Sequence, residues 1–238
     1  MRFTLTGAAP AVHVAAWETT GDPAAVIAAA RGGALRWDGL PGFAGAAWFT
    51  RRRDLHPVRR DGDAVPAPEG AAAARIVELV WWERPAGHTA TGAVDRAVAS
   101  GALPDGRAVR VQGGLQHLQG IVTPSGAGEF TLGEDGGVTL VLLGESEDAA
   151  AALAYLMTAA EETVRFVPGF VGGAFLLAED GTRLTEVIRW ASPEAFRAAT
   201  ADEGFRSALG RASAYVKVDG GVYTTRAVHP APARPSAG

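Results

Sequence analysis

The stretch PGFAGAAWF at residues 41–49 decides the fold of this chain, because a similar stretch, PGFVGGAFL, follows at residues 168–176. Five of the nine positions are identical, and the others exchange residues of similar character. A second match pairs ELVWW at residues 78–82 with EVIRW at residues 186–190. Matches that recur in one order along both halves of a chain indicate that a single module is present twice.

A third match fixes the position of an insertion in the first copy. VQGGL at residues 111–115 pairs with VDGGV at residues 218–222, an offset of 107, against 127 for the first match and 108 for the second. The offset therefore falls by 19 residues, from 127 to 108, between Arg51 and Arg75. Pro and Gly residues cluster between these two arginines, and such a composition is typical of loops.

Each copy has the pattern of one α+β unit. In the second copy, a β-rich run at residues 138–143 precedes a segment of helical composition at residues 147–165. Two strands then lead to Ser192 and Pro193, which open a second helix as its N-cap and its first residue. The first copy follows the same order, with its second helix predicted at residues 88–100. The order β-α-β-β-α-β is the ferredoxin-like arrangement.

These observations predict an α+β fold made of two ferredoxin-like modules, residues 10–124 and residues 136–229. The first module carries the inserted loop at about residues 51–74, and residues 230–238 form a flexible tail. The third strand of each module has large apolar groups on both faces, which indicates that neither face is simply exposed to water. We therefore expect the two open sheet faces to pack together and to leave a cavity between them.

Composition narrows the class of protein. The 238 residues are 47% hydrophobic and 20% charged, with a formal net charge of −4, which predicts a packed core and disfavours nucleic-acid binding. The longest apolar run, residues 149–160, is shorter than the roughly 20 residues that span a bilayer. No signal peptide is evident. We expect a cytoplasmic protein with no membrane and no nucleic-acid partner.

The residue types also limit the cofactors. The chain has no Cys, which excludes thiolate metal sites, cysteine-ligated clusters and cysteine nucleophiles. No two of its five His have metal-ligand spacing, and no Gly-rich loop follows a strand in the dinucleotide-binding pattern. We predict that the protein holds no metal and no cofactor.

The second copy carries a family resemblance. Pro-Gly-Phe at residues 168–170, an acidic turn at residues 179–181, a strand that ends in Trp190, and ASPEAF at residues 191–196 resemble the antibiotic biosynthesis monooxygenase family. That family belongs to the dimeric α+β barrel superfamily, so the resemblance implies that the two modules form an intramolecular dimeric α+β barrel. Its members include cofactor-free oxygenases that act on aromatic polyketides, relatives that degrade haem, and proteins without demonstrated catalysis.

The resemblance also implies site residues. Trp190 and, at the matching place of the first copy, Trp82 are expected to line the pocket. The oxygenase members have an Asn four positions before this Trp, where this chain has Glu186 and Glu78. They have a Tyr six positions after it, where this chain has Phe196 and His88. The family's Asn and Tyr are thus absent from both copies.

Glu78 and Glu186 are the first catalytic candidates. Strand alternation puts each on the same face as the Trp of its own copy, and we expect both to point into the shared cavity. A carboxyl in an apolar pocket has a raised pKa, which suits it to take a proton from a phenol or an activated methylene. The alternative is that each Glu lies near a strand end and pairs with an Arg or meets water.

Three histidines follow as candidates. His13 and Trp17 share a face of the first strand, His88 opens the predicted second helix, and His117 lies on the last strand of the first copy. The alternative is that each is a hydrogen-bonded core residue. The residues expected to contact substrate are aromatic: Trp190, Trp82, Phe196, Trp17 and Phe175.

The preferred interpretation is a cofactor-independent monooxygenase, or a closely related tailoring enzyme, that acts on a small aromatic polyketide-like substrate with O2 as co-substrate. The alternatives are a non-oxidative polyketide cyclase or aromatase, and a non-catalytic ligand-binding barrel. The chain is expected to be a monomeric pseudo-dimer or a homodimer of pseudo-dimers.

Overall fold

The computed structural model describes residues 2–6, 11–34, 42–55, 74–83, 108–126, 128–212 and 216–230. Most of the predicted inserted loop, the predicted helix at residues 88–100 and residues 231–238 of the predicted tail lie outside these ranges.

The described chain contains ten strands and four α-helices. The strands are β1 (Arg2–Thr6), β2 (Ala11–Thr19), β3 (Phe43–Arg51), β4 (Ala74–Trp82), β5 (Ala108–Val122), β6 (Glu129–Gly133), β7 (Val138–Glu145), β8 (Phe170–Ala178), β9 (Arg183–Trp190) and β10 (Lys217–Pro230). The helices are α1 (Pro23–Ala34), α2 (Ala149–Glu162), α3 (Pro193–Ala201) and α4 (Glu203–Ala212), and a 3₁₀ turn (Val164–Phe166) follows α2.

Eight of the strands form a closed barrel in the order β10-β3-β4-β2-β5-β8-β9-β7. The N-terminal module comprises α1 with β5-β2-β4-β3, and the C-terminal module comprises α2 to α4 with β10-β7-β9-β8; both strand orders are ferredoxin-like. The barrel closes because β5 pairs with β8 and β10 pairs with β3. The predicted intramolecular α+β barrel is confirmed.

The strand registers of the two modules agree with the sequence matches. His13 pairs with Val80 of β4, and Leu140 pairs with Ile188 of β9. Val80 and Ile188 are matched residues, so His13 and Leu140 occupy equivalent places. The same cross-strand geometry therefore recurs at the positions that the sequence aligned.

An apolar cluster packs the inside of the barrel. Val12 and Val14 of β2, Leu79 of β4, Leu143 of β7 and Val187 of β9 all belong to it. Because side chains alternate along a strand, the residues between these ones face outward toward the helices. We call the strand face that points into the barrel the lumen face, and the face that points toward the helices the outer face.

The outer faces are covered by helices. A cluster on the C-terminal module joins residues of α2, α3 and α4 to the outer faces of β7, β8 and β9, and a smaller cluster lies beneath α1 on the N-terminal module. The predicted start of α3 is confirmed, since the Ser192 hydroxyl accepts a hydrogen bond from the Ala195 N–H at 3.1 Å and Pro193 follows it.

Strands β1 and β6 form a separate two-stranded sheet that the sequence analysis missed. Phe130 and Leu132 of β6 and Leu5 of β1 are buried in the lumen cluster. The guanidinium of Arg189, on the lumen face of β9, donates to the Thr131 carbonyl and pairs with Asp135. The small sheet therefore packs on the interior of the barrel.

Candidate functional site

The two candidate glutamates lie on the outer faces of their sheets. Glu186 lies two residues from Leu184 and from Ile188, so it shares a strand face with these members of the helix-covered cluster. In the same way, Glu78 shares a face with Ile76 and Val80 of the cluster beneath α1. The expectation that both would point into a shared cavity between the modules is wrong. Each carboxyl instead lies between its own sheet and the layer that covers it, because the opposite face of each strand packs the barrel interior.

Glu186 is held in apolar surroundings. It is only 3% exposed, and its cross-strand neighbours are Leu142 on β7 and Phe175 on β8. Its Oε2 atom is buried and has no hydrogen-bond partner among the described residues. Burial raises the pKa of the Glu186 carboxyl to about 8, because the surroundings do not solvate the charged form.

Glu78 has a partner that Glu186 lacks. The indole Nε1–H of Trp48 donates to Glu78 Oε1 at 2.6 Å, and both groups are buried. Trp48 is the cross-strand neighbour of Glu78, and Phe175 is the cross-strand neighbour of Glu186. A Phe ring has no hydrogen-bond donor. The residue opposite Glu78 therefore stabilises its carboxyl group, and the residue opposite Glu186 does not.

Trp190 lies fully buried among aromatic rings. It meets Phe170, Phe196 and Phe205 edge to face, with centroid distances of 5.8, 6.1 and 5.3 Å. In the N-terminal module, Trp82 meets Phe43 in the same way at 5.7 Å. These pairs favour a fixed ring orientation.

The indole N–H groups of Trp190 and Trp82 are buried, with no hydrogen-bond partner among the residues that the structure describes. Glu186 and Trp190 share one face of β9, four residues apart, which is about 13 Å along a strand. An unsatisfied acceptor and an unsatisfied donor thus lie on the same outer face.

The histidine candidates are placed apart from Glu186. His13 is fully buried on the outer face of β2, and half-buried His117 is opposite Leu177, where β5 meets β8. His88 lies outside the described residues. His229 belongs to β10, and its ring lies 5.9 Å from that of Phe43.

The remaining predicted contact residues divide between the modules. Phe175 and Phe196 are buried in the helix-covered cluster that contains Trp190. Trp17 is half-buried at the cluster beneath α1, together with Trp82. The structure thus brings Glu186, Phe175 and Phe196 together on one module.

Sequence reasoning missed two residues of this arrangement. The role of Trp48 as a donor depends on its register opposite Glu78, although the Trp-to-Phe difference between the repeated stretches was visible. Phe205 belongs to α4, a helix that the sequence analysis did not predict, and Asp202 caps that helix by accepting from the Phe205 N–H at 2.8 Å. An Asp three residues before the Phe was the available signal.

The described residues form neither a metal-ligand cluster nor a membrane-spanning helix. No group of three or more His, Asp or Glu side chains is arranged to hold a metal ion within the described ranges. In the same part of the chain, no helix has both the length and the apolar character needed to cross a membrane.

Comparison with known proteins gives structural neighbours only, since no family model and no curated protein matches the chain. An anthrone oxidase-like protein superposes with a TM-score of 0.64 at 14% identity, over 99% of each chain. A candidate monooxygenase from Fusobacterium nucleatum superposes with a TM-score of 0.55 at 7% identity, over 93% of this chain and 94% of its own. A candidate chlorite dismutase gives a TM-score of 0.51 at 10% identity, over 94% of this chain and 95% of its own.

At these identities the likeness concerns the fold, and at that level the predicted resemblance is confirmed. The neighbours align over nearly their whole length, so a single chain supplies the complete barrel in each comparison. This protein shares the fold of these neighbours, a closed eight-stranded α+β barrel with both halves in one polypeptide.

Proposed function

We propose that the chain is a cofactor-independent monooxygenase, or a closely related tailoring enzyme, whose active site lies on the outer face of the C-terminal module. The observation that carries the proposal is the buried Glu186 carboxyl, which has an unsatisfied oxygen and a pKa raised to about 8. A structural glutamate in such a place would normally have a hydrogen-bond donor, as Glu78 has in Trp48.

Glu186 is the general base of the proposed reaction. Its raised pKa brings its basicity closer to that of a phenol or of an activated methylene, which favours proton transfer between them. The Trp190 N–H can donate to the oxygen that becomes negative when the substrate loses its proton. Phe175 and Phe196 supply flat apolar walls for a fused-ring substrate.

The substrate itself reduces O2 in the proposed mechanism. Glu186 removes one proton from a ring CH2, and the resulting carbanion passes one electron to O2. The carbon radical and superoxide combine to a peroxide, which takes up a proton. Loss of the second C–H proton with cleavage of the O–O bond then leaves a carbonyl on carbon and releases the other oxygen atom as water. The substrate carbon supplies four electrons in all, and these reduce the two atoms of O2, one of which ends in the carbonyl and the other in water.

The aromatic polyketide class of substrate rests on the family resemblance and on the fold shared with an anthrone oxidase-like protein. The chain departs from the oxygenase pattern, since Glu186 and Phe196 replace the family's Asn and Tyr. That departure favours a second candidate, a non-oxidative cyclase or aromatase, in which the same carboxyl would remove a proton without any O2 consumption.

Oxygen consumption with an anthrone or a naphthol tests the proposal. The wild-type chain should consume O2 with formation of a quinone, and Glu186→Gln should lower the rate by about 10²–10⁴. Glu78→Gln is the matched control and should keep the rate. Product formation under strict anaerobiosis would select the cyclase, and tight binding without turnover would select a ligand-binding barrel.

A further inference from the structure

The lumen face carries a polar row that crosses the junction between the modules. Thr139 on β7 pairs with Tyr223 on β10, and Tyr223 pairs with Arg51 on β3. Tyr223 belongs to the lumen cluster. Arg51 lies two residues after Phe49, another member of that cluster, and so is on the same face of β3. Three polar side chains therefore follow one another across three strands, on the face opposite to Glu186.

Arg75 extends this row to a fourth strand. Thr50 pairs with Ile76, so Arg51 and Arg75 are the next residues along the two antiparallel strands β3 and β4. Arg75 is on the lumen face because it lies two residues before Val77, a member of the lumen cluster, and it is only 9% exposed. Two guanidinium groups thus lie side by side at the edge of a largely apolar interior.

The charges of the row are not balanced. Arg75 Nη1 pairs with Asp219 Oδ2 at 2.5 Å, whereas Arg51 Nη2 donates to the neutral Gly220 carbonyl at 3.2 Å. Glu18, the cross-strand neighbour of Arg75 on β2, is exposed, and no ion pair joins the two among the described contacts. Among the described contacts, Asp219 is thus the one carboxylate that pairs with either of these two adjacent arginines, whose like charges repel each other.

Buried polar atoms of the row lack partners. Arg75 Nε and Thr139 Oγ1 are both buried, with no hydrogen-bond partner among the described residues. Tyr223 is only 2% exposed, and desolvation raises the pKa of its phenol although Arg75 and Arg51 act in the opposite direction. The phenol therefore stays neutral and can donate a hydrogen bond. Such unsatisfied groups are rare in native proteins and call for a water or a ligand.

The second junction between the modules has one arginine at the matching positions, and neither a phenol nor a hydroxyl. There the equivalent positions hold Val12, Gln116 and Ala178 in place of Thr139, Tyr223 and Arg51, in the same register. The equivalent of Arg75 is Arg183, which pairs with Asp180 at 3.2 Å. The polar row is therefore a feature of one junction, and the pseudo-symmetry of the barrel does not require it.

The absence of a side chain at Gly221 leaves room for the guanidinium of Arg51. A Cβ atom at Gly221 would lie 3.0 Å from Arg51 Nε and 3.0 Å from the Tyr223 ring, so both side chains occupy the space above this glycine. The guanidinium of Arg51 is thus held beside the phenol of Tyr223, in a row of two cations, a hydroxyl and a phenol on four adjacent strands.

We propose that this junction binds a small oxyanion, the carboxylate or phosphate group of a metabolite, between Arg51 and Arg75 with Tyr223 and Thr139 as neutral hydrogen-bonding partners. Guanidinium groups match the paired oxygens of such anions, and a buried site strengthens each contact. Residues of both modules contribute, so the anion links the two halves of the barrel. The site lies on the face of the sheet opposite to the proposed active site and does not depend on the proposed function.

Calorimetric titration of the full chain with inorganic phosphate and with acetate tests the proposal, with chloride used to hold the ionic strength constant. One saturable site is expected for at least one anion, with a melting temperature that rises by several degrees at saturation. Phosphate binding alone would identify a phosphate group as the ligand, and acetate binding alone would identify a carboxylate.

The variants copy the second junction. Arg51→Ala and Tyr223→Gln install its residues and should each weaken the anion about tenfold or more, as expected for the loss of a hydrogen bond to a charged group. Arg183→Gln removes an arginine from the equivalent position and should bind like wild type. If Arg51→Ala does not fold, Tyr223→Phe, which removes only the phenol oxygen, replaces it. Equal effects of phosphate, acetate and chloride, or unchanged affinity in the variants, would overturn the proposal.

Discussion

Replacing Glu186 by Gln should stabilise the protein at alkaline pH. The substitution removes a carboxyl group whose ionisation is unfavourable in its buried position. The pKa of this group rises from 4.5 in the unfolded chain to about 8 in the folded one. The folded state therefore binds the proton more tightly than the unfolded state does. A raised folded-state pKa contributes stability below pH 4.5, and this contribution is lost as the pH rises through about 8.

The size of the effect follows from the two pKa values. A difference of about 3.5 units between 4.5 and 8, at about 1.4 kcal/mol per unit, gives roughly 5 kcal/mol between pH 4.5 and pH 8.5. The Gln side chain has nearly the same shape as Glu and does not titrate. The free energy of unfolding of the variant therefore does not fall by this amount as the pH rises. For a chain of this length, several kcal/mol correspond to a difference in melting temperature on the order of 10 °C.

The assay is thermal or urea unfolding of both proteins from pH 4.5 to pH 8.5. The difference in stability should grow steadily in favour of Glu186→Gln as the pH rises. Glu78→Gln is the matched control at the equivalent position, and it should be less stable than wild type near neutral pH because it weakens the charge-assisted bond from Trp48. A Glu186→Gln variant that is less stable than wild type at pH 8, or a difference that does not vary with pH, would refute the reasoning.

Four further predictions test other parts of the structure. Trp48→Phe should lower stability by about 2–4 kcal/mol in urea unfolding, because it leaves the buried Glu78 carboxyl without its indole donor; an unchanged midpoint would contradict this. Trp190→Phe should cost roughly 1–3 kcal/mol through the space it opens among three phenylalanine rings, and should weaken binding of a fused-ring ligand. Residues 12–122 alone should self-associate in sedimentation, since they lose the pairings that close the barrel and expose its apolar lumen; a stable monomer would count against this. The purified full chain should show no flavin or haem absorption band, and one that persists through purification would contradict the proposed cofactor-free chemistry.

The order of the elements could be predicted from the sequence because it depends on local chemistry. The repeated stretches at residues 41–49 and 168–176 both became second strands of their modules, and the Ser192 cap began a helix where it was expected. Hydrogen bonds between near neighbours and the alternation of apolar residues fix such features before any tertiary contact forms.

Strand β6 shows where local patterns were not enough. Phe130 and Leu132 alternate with polar residues, which is typical of a half-buried strand, but the run is short and its partner, β1, lies more than a hundred residues earlier. Pairing between such distant segments is set by the closed barrel, which supplies the apolar surface that buries them.

The candidate site divides in the same way. The sequence by itself determined that Glu186 shares a face with Trp190 and that Glu78 shares a face with Trp82, because alternation along a strand is local. Only the tertiary structure decided which face turns inward, since both faces of each strand are apolar and the choice depends on how the barrel closes. Cross-strand register then separated the two glutamates, because it put an indole donor beside Glu78 and a phenyl ring beside Glu186.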